Sequence, residues 1–390
     1  MIKITDPSKC CGCTVCSSVC RHDAIQMKPD KLGFLYPEVD EAKCVDCGLC
    51  DKVCSFVQDV ASVQPVSKDA EVEVLVARHK DVEVLAQSQS GGAFSAMAEQ
   101  VLKERGLVYG AAFDDSHMVH HLRVDSLEGL AALRGSKYVQ SDLRGKHKEV
   151  FGQIRGDLNI GFKVLFAGTP CQIAALKSYI PKNLQESLFT VDFICHGVPS
   201  PAIWKDYLDY MGRHGEIVKA NFRDKSVAGW KEHKETFIYK DGKKMVADSF
   251  RVLFYKNIML RHSCGVCPYN IMNHKSDVTI ADFWGVDEIM PQMAGPEGTS
   301  MVVCNSEKGV ELMKQASSDL MITPVSLGYN FMSRRNPNLI RPARIDKDRM
   351  AFEDTYARKG FLRVARSWGD LGLRYKLWQL KQYIRNIRRK

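Results

Sequence analysis

The sequence predicts a multidomain protein of mixed α+β and α/β class, with a cysteine-rich head, an α/β body built on a mixed sheet, and a basic helical C-terminal tail. Three observations predict this organisation. Nine of the 14 cysteines lie within the first 54 residues, strand-like and helix-like runs alternate from residue 72 onwards, and positive charge accumulates after Arg334. We therefore divide the chain into a head (1–58), a linker (59–74), a body (75–335) and a tail (336–390).

Composition excludes several classes of protein. The 390 residues are 45% hydrophobic and 26% charged, which is ordinary for a globular protein and unlike a disordered or fibrous one. The longest stretch without Asp, Glu, Lys or Arg has 15 residues, fewer than the ~17–25 that a membrane-spanning helix needs. The first ten residues lack the apolar segment of a secretory signal. We therefore expect a cytoplasmic protein whose thiols bind metal rather than form disulfides.

The positive charge is confined to the tail. Seventeen Lys or Arg and five Asp or Glu follow from Arg334 onwards, a net charge of +12, whereas the whole chain carries +9. The body has no positive excess, so we predict that the protein does not bind nucleic acid. Apolar residues recur in the tail at helical spacing (Leu373, Leu377, Leu380, Ile384 and Ile387). Such a helix can contact the inner face of a membrane peripherally, and packing on the body or on an acidic partner is an equally consistent interpretation.

Two cysteine motifs of identical spacing occupy the head. The pattern C-x2-C-x2-C-x3-C occurs at Cys10, Cys13, Cys16 and Cys20, and again at Cys44, Cys47, Cys50 and Cys54. In two-cluster ferredoxins the fourth cysteine of each run ligates the other 4Fe-4S cluster. We therefore predict two clusters, one held by Cys10, Cys13, Cys16 and Cys54, and the other by Cys44, Cys47, Cys50 and Cys20.

Zinc and disulfides are the alternatives for the head. Zinc ligands normally come as two separated pairs, which fits three cysteines in register plus a fourth poorly. Arg21 and Ser55 stand where a proline usually follows the fourth cysteine, and neither is a ligand. We expect the charge of Arg21 to raise the potential of the neighbouring cluster. Cys11 lies outside the register and is expected to be a spare thiol.

Strands and helices alternate through the body, which is typical of a largely parallel sheet. The predicted strands are Val72–Arg78, Leu107–Phe113, Lys163–Ala167 and Leu188–Ile194, and the predicted helices are Ala93–Arg105, Asp142–Arg155, Cys171–Tyr179 and Pro201–Gly212. Between Glu216 and Val246 strand-like runs follow one another. Asp241-Gly242 predicts a hairpin turn there, so part of the body is expected to be antiparallel.

Four cysteines of the body predict a third metal site. Cys171 and Cys195 each follow a predicted strand, and if these strands are parallel neighbours both thiols emerge at the carboxyl edge, where open α/β sheets bind ligands. Cys264 and Cys267 supply a C-x2-C pair. Buried thiols and a redox-active Cys264/Cys267 pair are the alternatives. The ligand count does not separate zinc from a 4Fe-4S cluster, but an electron-carrying head favours iron. Cys304 is expected in the core.

A glycine-rich segment, Ser90-Gly91-Gly92, comes directly before the predicted helix Ala93–Arg105. Glycine lets the backbone approach a ligand closely, and a helix N-terminus offers N–H groups to phosphate. A plain capping turn is the alternative. Arg134 and Lys137 flank Gly135 and supply two cations, which could clamp a pyrophosphate or lie on the surface.

Five segments in this order resemble the β-subunit family of coenzyme F420 hydrogenase/dehydrogenase over residues 75–335. They are Ser90-Gly91-Gly92-Ala93, Arg134-Gly135-Ser136-Lys137-Tyr138-Val139-Gln140-Ser141, Gly168-Thr169-Pro170-Cys171-Gln172, Ile194-Cys195-His196-Gly197-Val198-Pro199 and Asp282-Phe283-Trp284-Gly285. The resemblance implies an FAD-dependent iron–sulfur oxidoreductase. It implies that the cluster nearest the flavin is ligated by Cys171, Cys195, Cys264 and Cys267. It implies that FAD is contacted by Ser90, Gly91, Gly92, Lys137 and Gln140.

We therefore expect electrons to move between 4Fe-4S clusters and FAD, and from FAD to a reducible organic molecule or a deazaflavin-like cofactor, or in the reverse direction. The expected redox partner is a ferredoxin or a partner oxidoreductase subunit. His196, beside Cys195, either relays protons or only hydrogen-bonds its loop. One alternative is an electron-transfer subunit of a larger complex without a substrate of its own. Another is a carbohydrate- or nucleotide-modifying enzyme with structural clusters.

Overall fold

The computed structural model of the protein describes residues 1–60, 67–69, 71–145, 149–373, 375 and 377. The strands are β1 Ile25–Pro29, β2 Leu35–Val39, β3 Glu71–His79, β4 Leu107–Phe113, β5 Val119–Val124, β6 Val164–Ala167, β7 Leu188–Phe193, β8 Ile217–Asn221, β9 Glu235–Tyr239, β10 Lys244–Ala247, β11 Val278–Asp282, β12 Ser300–Cys304 and β13 Leu320–Gly328. The α-helices are α1 Val15–Val19, α2 Leu49–Lys52, α3 Ser55–Val60, α4 Val82–Gln87, α5 Ala93–Lys103, α6 Leu127–Leu130, α7 Val150–Asn159, α8 Pro170–Tyr179, α9 Pro201–Met211, α10 Lys225–Ala228, α11 Ser249–Tyr255, α12 Val286–Ile289, α13 Glu307–Ala316, α14 Tyr329–Arg335 and α15 Arg349–Ser367.

A mixed sheet of eight strands, counted over the described residues, runs through the body in the order β13-β3-β12-β11-β7-β6-β4-β5. The central strands β11, β7, β6 and β4 are parallel, and antiparallel strands complete both edges. Strands β4 and β6 are almost continuously apolar and buried, as expected where helices cover both faces of a parallel sheet. The predicted mixed α+β and α/β class is confirmed.

One predicted helix begins in the wrong place. The periodicity predicted a helix from Asp142, but α7 begins at Val150. Asp142 instead continues the edge of the sheet, since its N–H donates to the Val119 carbonyl (2.9 Å) and its carbonyl accepts from the N–H of His121 (3.0 Å). Its carboxylate also accepts from the N–H of Arg144 (2.8 Å), which is a turn contact that competes with helix formation.

A second sheet, β10-β9-β8, is antiparallel, and the predicted turn at Gly242 joins β9 to β10. Helices α9, α11 and α15 pack around it in one apolar core. Helix α15 belongs to the tail, yet its residue Arg349 is buried and its Nη1 donates to the carbonyls of Ile258 (2.9 Å) and Leu260. The tail thus supports a segment of the body that lies just before Cys264.

The head consists of the hairpin β1–β2 and two short helices, α1 and α2, one in each cysteine motif. It packs directly on the body, because Val15, Val53 and Phe56 share an apolar core with Phe151 and Tyr269. Head and body therefore meet over a buried surface.

Most of the predicted linker and of the tail stripe lie outside the described residues, Leu380, Ile384 and Ile387 among them. Leu373 and Leu377, the described members of the stripe, are exposed. Within the ranges given above, no helix combines the length and the apolar character that crossing a membrane requires. Peripheral membrane contact of the tail stays a prediction.

Candidate redox site

The body cysteines line one small cavity at the carboxyl edge of the central sheet. Strands β6 and β7 are parallel neighbours, and Cys171 and Cys195 follow their carboxyl ends. A single 3-10 turn, His262–Val266, brings in the C-x2-C pair. The cavity has a volume of about 30 Å³ and is lined by Cys171, Cys195, Cys264 and Cys267. The structure thus brings together the residues from which the sequence predicted a third metal site.

The body thiols perturb one another electrostatically. Burial raises the pKa of Cys264 to about 11 and, together with the neighbouring thiols, holds the pKa of Cys195 well above its usual range. The pKa of Cys171 is instead lowered to about 7, because the neighbouring Cys11 thiol and the Thr169 hydroxyl stabilise its thiolate. Thiolates are the form that binds metal, and four buried ones would repel each other without a cationic partner. This donor set fits an iron–sulfur cluster.

A single bound metal ion would need a different arrangement of ligands. Among the described residues, no three His, Cys, Asp or Glu side chains converge as one bound ion would require.

Four head cysteines also form a group, which we call the inner set (Cys10, Cys13, Cys16 and Cys54); Cys13 and Cys16 are buried, and Cys10 and Cys54 are half-buried. Burial and the neighbouring thiols raise the pKa of Cys16 well above its usual range and that of Cys54 to about 11. Cys54 closes the second motif of the sequence, yet its thiol lies with the thiols of the first motif. This is the crossed arrangement that the spacing predicts.

The remaining head cysteines, the outer set, lie towards the surface (Cys20, Cys44, Cys47 and Cys50). Cys47 is exposed and Cys44 is half-buried. Cys50 is buried, and its sulfur accepts from the N–H of Ile2 (3.3 Å). Cys20 and Cys50 pack in the same apolar cluster as Cys16, so the outer set lies beside the inner set.

Cys11, which the sequence left as a spare thiol, lies between the inner set and the body cavity. It is only 6% exposed, and it lines the cavity of the body thiols. It packs in one apolar core with Cys13 and Cys171. Its interactions with these two sulfurs, together with burial, raise the pKa of Cys11 well above the usual range. Sequence reasoning missed this position because Cys11 is out of register and its partner is remote in the chain.

A larger cavity of about 420 Å³ opens at the same edge of the sheet. Its volume is in the range of cofactor and substrate sites. It shares a wall with the thiol cavity, formed by Thr169, Cys195, His196, Gly197 and Val198. A molecule in the large cavity would therefore lie next to the body thiols.

The N-terminus of α5 forms another part of this large cavity. Gly92 adopts a left-handed conformation (φ 80°), and within the described residues no side chain caps the helix. Ala93, Phe94 and Ser95, the first residues of α5, line the cavity, and a helix N-terminus favours an anion. Gly91 is not in the lining: a Cβ there would collide with the Ala77 carbonyl and the Ser300 nitrogen, so it lets the turn pack on the sheet.

Arg134 and Lys137, the two cations of the second quoted segment, have different hydrogen-bond partners. Arg134 lines the cavity but its guanidinium is bonded to Ser95, Gln87 and Glu99 (3.2, 3.0 and 3.3 Å). Lys137 donates to the carbonyls of Ala132 (3.0 Å) and Arg134 (2.6 Å), and burial lowers its pKa to about 7. An anionic group in the cavity would favour the charged form of Lys137.

Gln140, predicted to contact FAD, faces the head rather than the large cavity. Its Nε2 donates to the Cys11 carbonyl (2.9 Å), and its Oε1 accepts from Arg261 (3.0 Å). His196 lines both cavities, and its ring nitrogens lie 3.1 Å from Asn338 Oδ1 and 2.6 Å from Asn257 Oδ1. These contacts match the interpretation in which His196 hydrogen-bonds its surroundings.

Sequence reasoning missed two polar features of the large cavity. Burial lowers the pKa of His121 to about 4, and its ring nitrogens lie 2.6 Å from Ser141 Oγ and 3.0 Å from the Ala167 carbonyl. Arg223 pairs with Asp282 (2.5 Å). Asp282 stands in the last quoted segment, which was the available signal, whereas nothing in the sequence marked His121.

Comparison with known proteins matches two ranges of the chain. Residues 161–327 match the family model for the C terminus of the coenzyme F420 hydrogenase/dehydrogenase beta subunit, and residues 9–57 match the 4Fe-4S dicluster domain. The predicted resemblance is confirmed, although the segments at Ser90 and Arg134 lie outside the matched range. The chain thus carries an iron–sulfur electron-transfer domain and is similar over residues 161–327 to that oxidoreductase subunit.

No curated protein matches the chain. Among solved structures, a chain of the xenon-derivatised F420-reducing NiFe hydrogenase complex from Methanosarcina barkeri is 18% identical, with a TM-score of 0.49. The alignment covers 75% of this chain and 94% of that chain.

Proposed function

We propose that this chain is an FAD-dependent iron–sulfur oxidoreductase that moves electrons between a ferredoxin-type partner and a reducible organic molecule. The observation that carries the proposal is the wall shared by the large cavity and the thiol cavity, which includes Cys195 itself. When bound, the clusters would carry electrons singly and FAD would exchange them in pairs with the organic molecule.

The thiols form three groups that follow one another from the surface to the large cavity. The outer set, with exposed Cys47, adjoins the inner set, and Cys11 connects the inner set to Cys171. We assign one 4Fe-4S cluster to each group. The body cluster would be held by Cys171, Cys195, Cys264 and Cys267.

The large cavity offers a polar and an apolar region for a dinucleotide. The N-terminus of α5, Ser90 and Lys137 would bind the pyrophosphate, because free N–H groups and a partly buried cation favour an anion. The wall at Cys195 would adjoin the redox-active ring, since electron exchange requires it there.

Exposed aromatic side chains in the cavity wall indicate the substrate class. Phe193 (41% exposed) and Tyr255 (54% exposed) both line the large cavity. Large apolar rings open to solvent at a cavity are suited to a flat partner. We therefore propose a planar conjugated substrate, of which a deazaflavin-like cofactor is one example.

An electron-transfer subunit without a substrate of its own is the second candidate. The matched family model describes a β subunit, which favours partner oxidoreductase subunits. Copurification with a second chain, and turnover of an organic acceptor only in its presence, would support this candidate over the first.

Anaerobic purification with quantitation of iron, sulfide and flavin tests the proposal. We expect about twelve irons and one FAD per chain. About eight irons would remove the body cluster, and the absence of flavin would overturn the proposal. Cys264→Ser should lose the body cluster, whereas the matched control Cys304→Ser, in β12 outside both cavities, should keep the full iron content.

A further inference from the structure

Arg261 is completely buried (0% exposed) where the head meets the body. Its Nε donates to the Cys10 carbonyl (2.6 Å), its Nη1 to Gln140 Oε1 (3.0 Å) and its Nη2 to the Leu35 carbonyl (2.8 Å). None of these acceptors carries a charge. A buried cation without a carboxylate among its acceptors is costly, so its charge needs compensation from elsewhere.

Thiolates on the two sides of the interface would supply this compensation. Arg261 donates to the Cys10 carbonyl of the inner set and also lines the cavity of the body thiols. Its charge favours the thiolate form of Cys10, Cys13, Cys171 and Cys264. Its guanidinium lies 4.3 Å from the centroid of the Tyr36 ring, which shields it further from water. The same cation therefore faces two proposed clusters at once.

Arg261 and Gln140 also hold the first loop of the inner set in place. Gly12 has a left-handed conformation (φ 70°), and a Cβ on it would lie 2.7 Å from both Arg261 Nη1 and Gln140 Nε2. Since Gln140 donates to the Cys11 carbonyl and Arg261 to the Cys10 carbonyl, consecutive residues of this loop are bonded to the body.

We propose that Arg261 is a positioning residue shared by the inner head cluster and the body cluster, whose fixed charge raises the midpoint potential of both. The inference rests on the proposed function for its ligand sets. Each cluster gains one negative charge when it takes up an electron, and a buried cation nearby favours that reduced form. The outer set should be affected less, because the thiols that interact with Arg261 are Cys11 and members of the inner and body sets.

A redox titration of the full-length protein, followed by electron paramagnetic resonance, tests the inference. Arg261→Gln removes the charge and keeps a polar side chain, whereas Arg261→Lys keeps the charge. We expect Arg261→Gln to lower the equilibrium constant for reduction of the inner and body clusters about tenfold. This lowers each midpoint potential by about 59 mV for a one-electron couple. The midpoint potential of the outer cluster should change less, and Arg261→Lys should have the same potentials as the parent protein. Ser178→Ala is the control, since it removes an uncharged contact between body and head, to the Val53 carbonyl (2.8 Å).

Unchanged potentials in Arg261→Gln, or equal shifts of all three clusters, would overturn the inference. Iron content separates the two proposals: a parent chain lacking the body cluster contradicts the proposed function, whereas full iron with unmoved potentials contradicts only the role of Arg261. If Arg261→Gln does not load its clusters, Gly12→Ala takes its place. The added Cβ displaces the guanidinium from the loop, so both potentials should fall, and unchanged potentials would overturn the inference.

Discussion

The two head motifs have the same spacing but opposite surroundings. Cys11 in the first motif is 6% exposed, whereas Val45, its equivalent in the second, is 60% exposed. The next positions, Gly12 and Asp46, are both left-handed (φ 70° and 49°), but only Gly12 is packed against body side chains. Spacing thus sets which residues can bind a cluster, and contact with the body sets the environment of that cluster.

Exchanging a ligand gives the largest expected effect. Cys54→Ser should abolish the inner cluster although Cys54 belongs to the second motif, and Cys20→Ser should abolish the outer cluster. Since the inner set lies between the outer set and the body, we expect Cys54→Ser to reduce electron transfer to the body at least about a hundredfold, or roughly 2.7 kcal/mol of activation free energy. Cluster-specific paramagnetic resonance checks this, and loss of the outer signal in Cys54→Ser would contradict the crossed arrangement.

Removal of iron should distinguish the two sets next. An oxidant or chelator reaches exposed Cys47 more readily than the inner thiols, which are buried or half-buried. We expect the outer cluster to be lost about ten times faster, because the inner one requires local opening worth about 1.4 kcal/mol or more. Iron release followed over time should be biphasic, and a single phase would show that the head opens as one unit.

Alanine at the equivalent positions Gly12 and Asp46 should give a smaller effect, which is a difference in the free energy of unfolding. Gly12→Ala forces a Cβ against Arg261 and Gln140 in a left-handed conformation, and we expect it to cost about 1–3 kcal/mol of unfolding free energy. Asp46→Ala should cost less, because Asp46 is exposed. Thermal unfolding of the two variants checks the order, and equal costs would contradict the packing of the first loop on the body.

The smallest expected effect is at Cys11. Cys11→Ala removes a buried thiol that packs against Cys13 and Cys171 but no assigned ligand, so the iron content should stay complete while stability falls by about 1 kcal/mol. Val45→Ala, on the surface, should change stability by less than about 0.5 kcal/mol. Loss of a cluster in Cys11→Ala would show that Cys11 is itself a ligand.

Most of the prediction came from residues that are close together in the sequence. Contacts between residues that are far apart in the sequence were not predicted. The cysteine spacing and the strands before Cys171 and Cys195 are readable because each depends on neighbouring residues. Arg261 was not marked, since its partner Cys10 is far away in the sequence and an isolated arginine has no periodicity. Gln140 was predicted to contact FAD because its segment resembles a binding segment. The sequence of the segment alone does not show on which side of the loop each side chain lies.

The contact between Arg349 and the carbonyls of Ile258 and Leu260 bears on how the molecule is assembled during synthesis. The head leaves the ribosome first and can acquire its clusters early, as N-terminal parts of a chain generally fold first. The segment that leads into Arg261 and Cys264 lacks the Arg349 donor for these carbonyls until α15 has been translated. The body site is therefore completed late, so a chain that stalls before Arg349 would carry a loaded head without a finished route for its electrons.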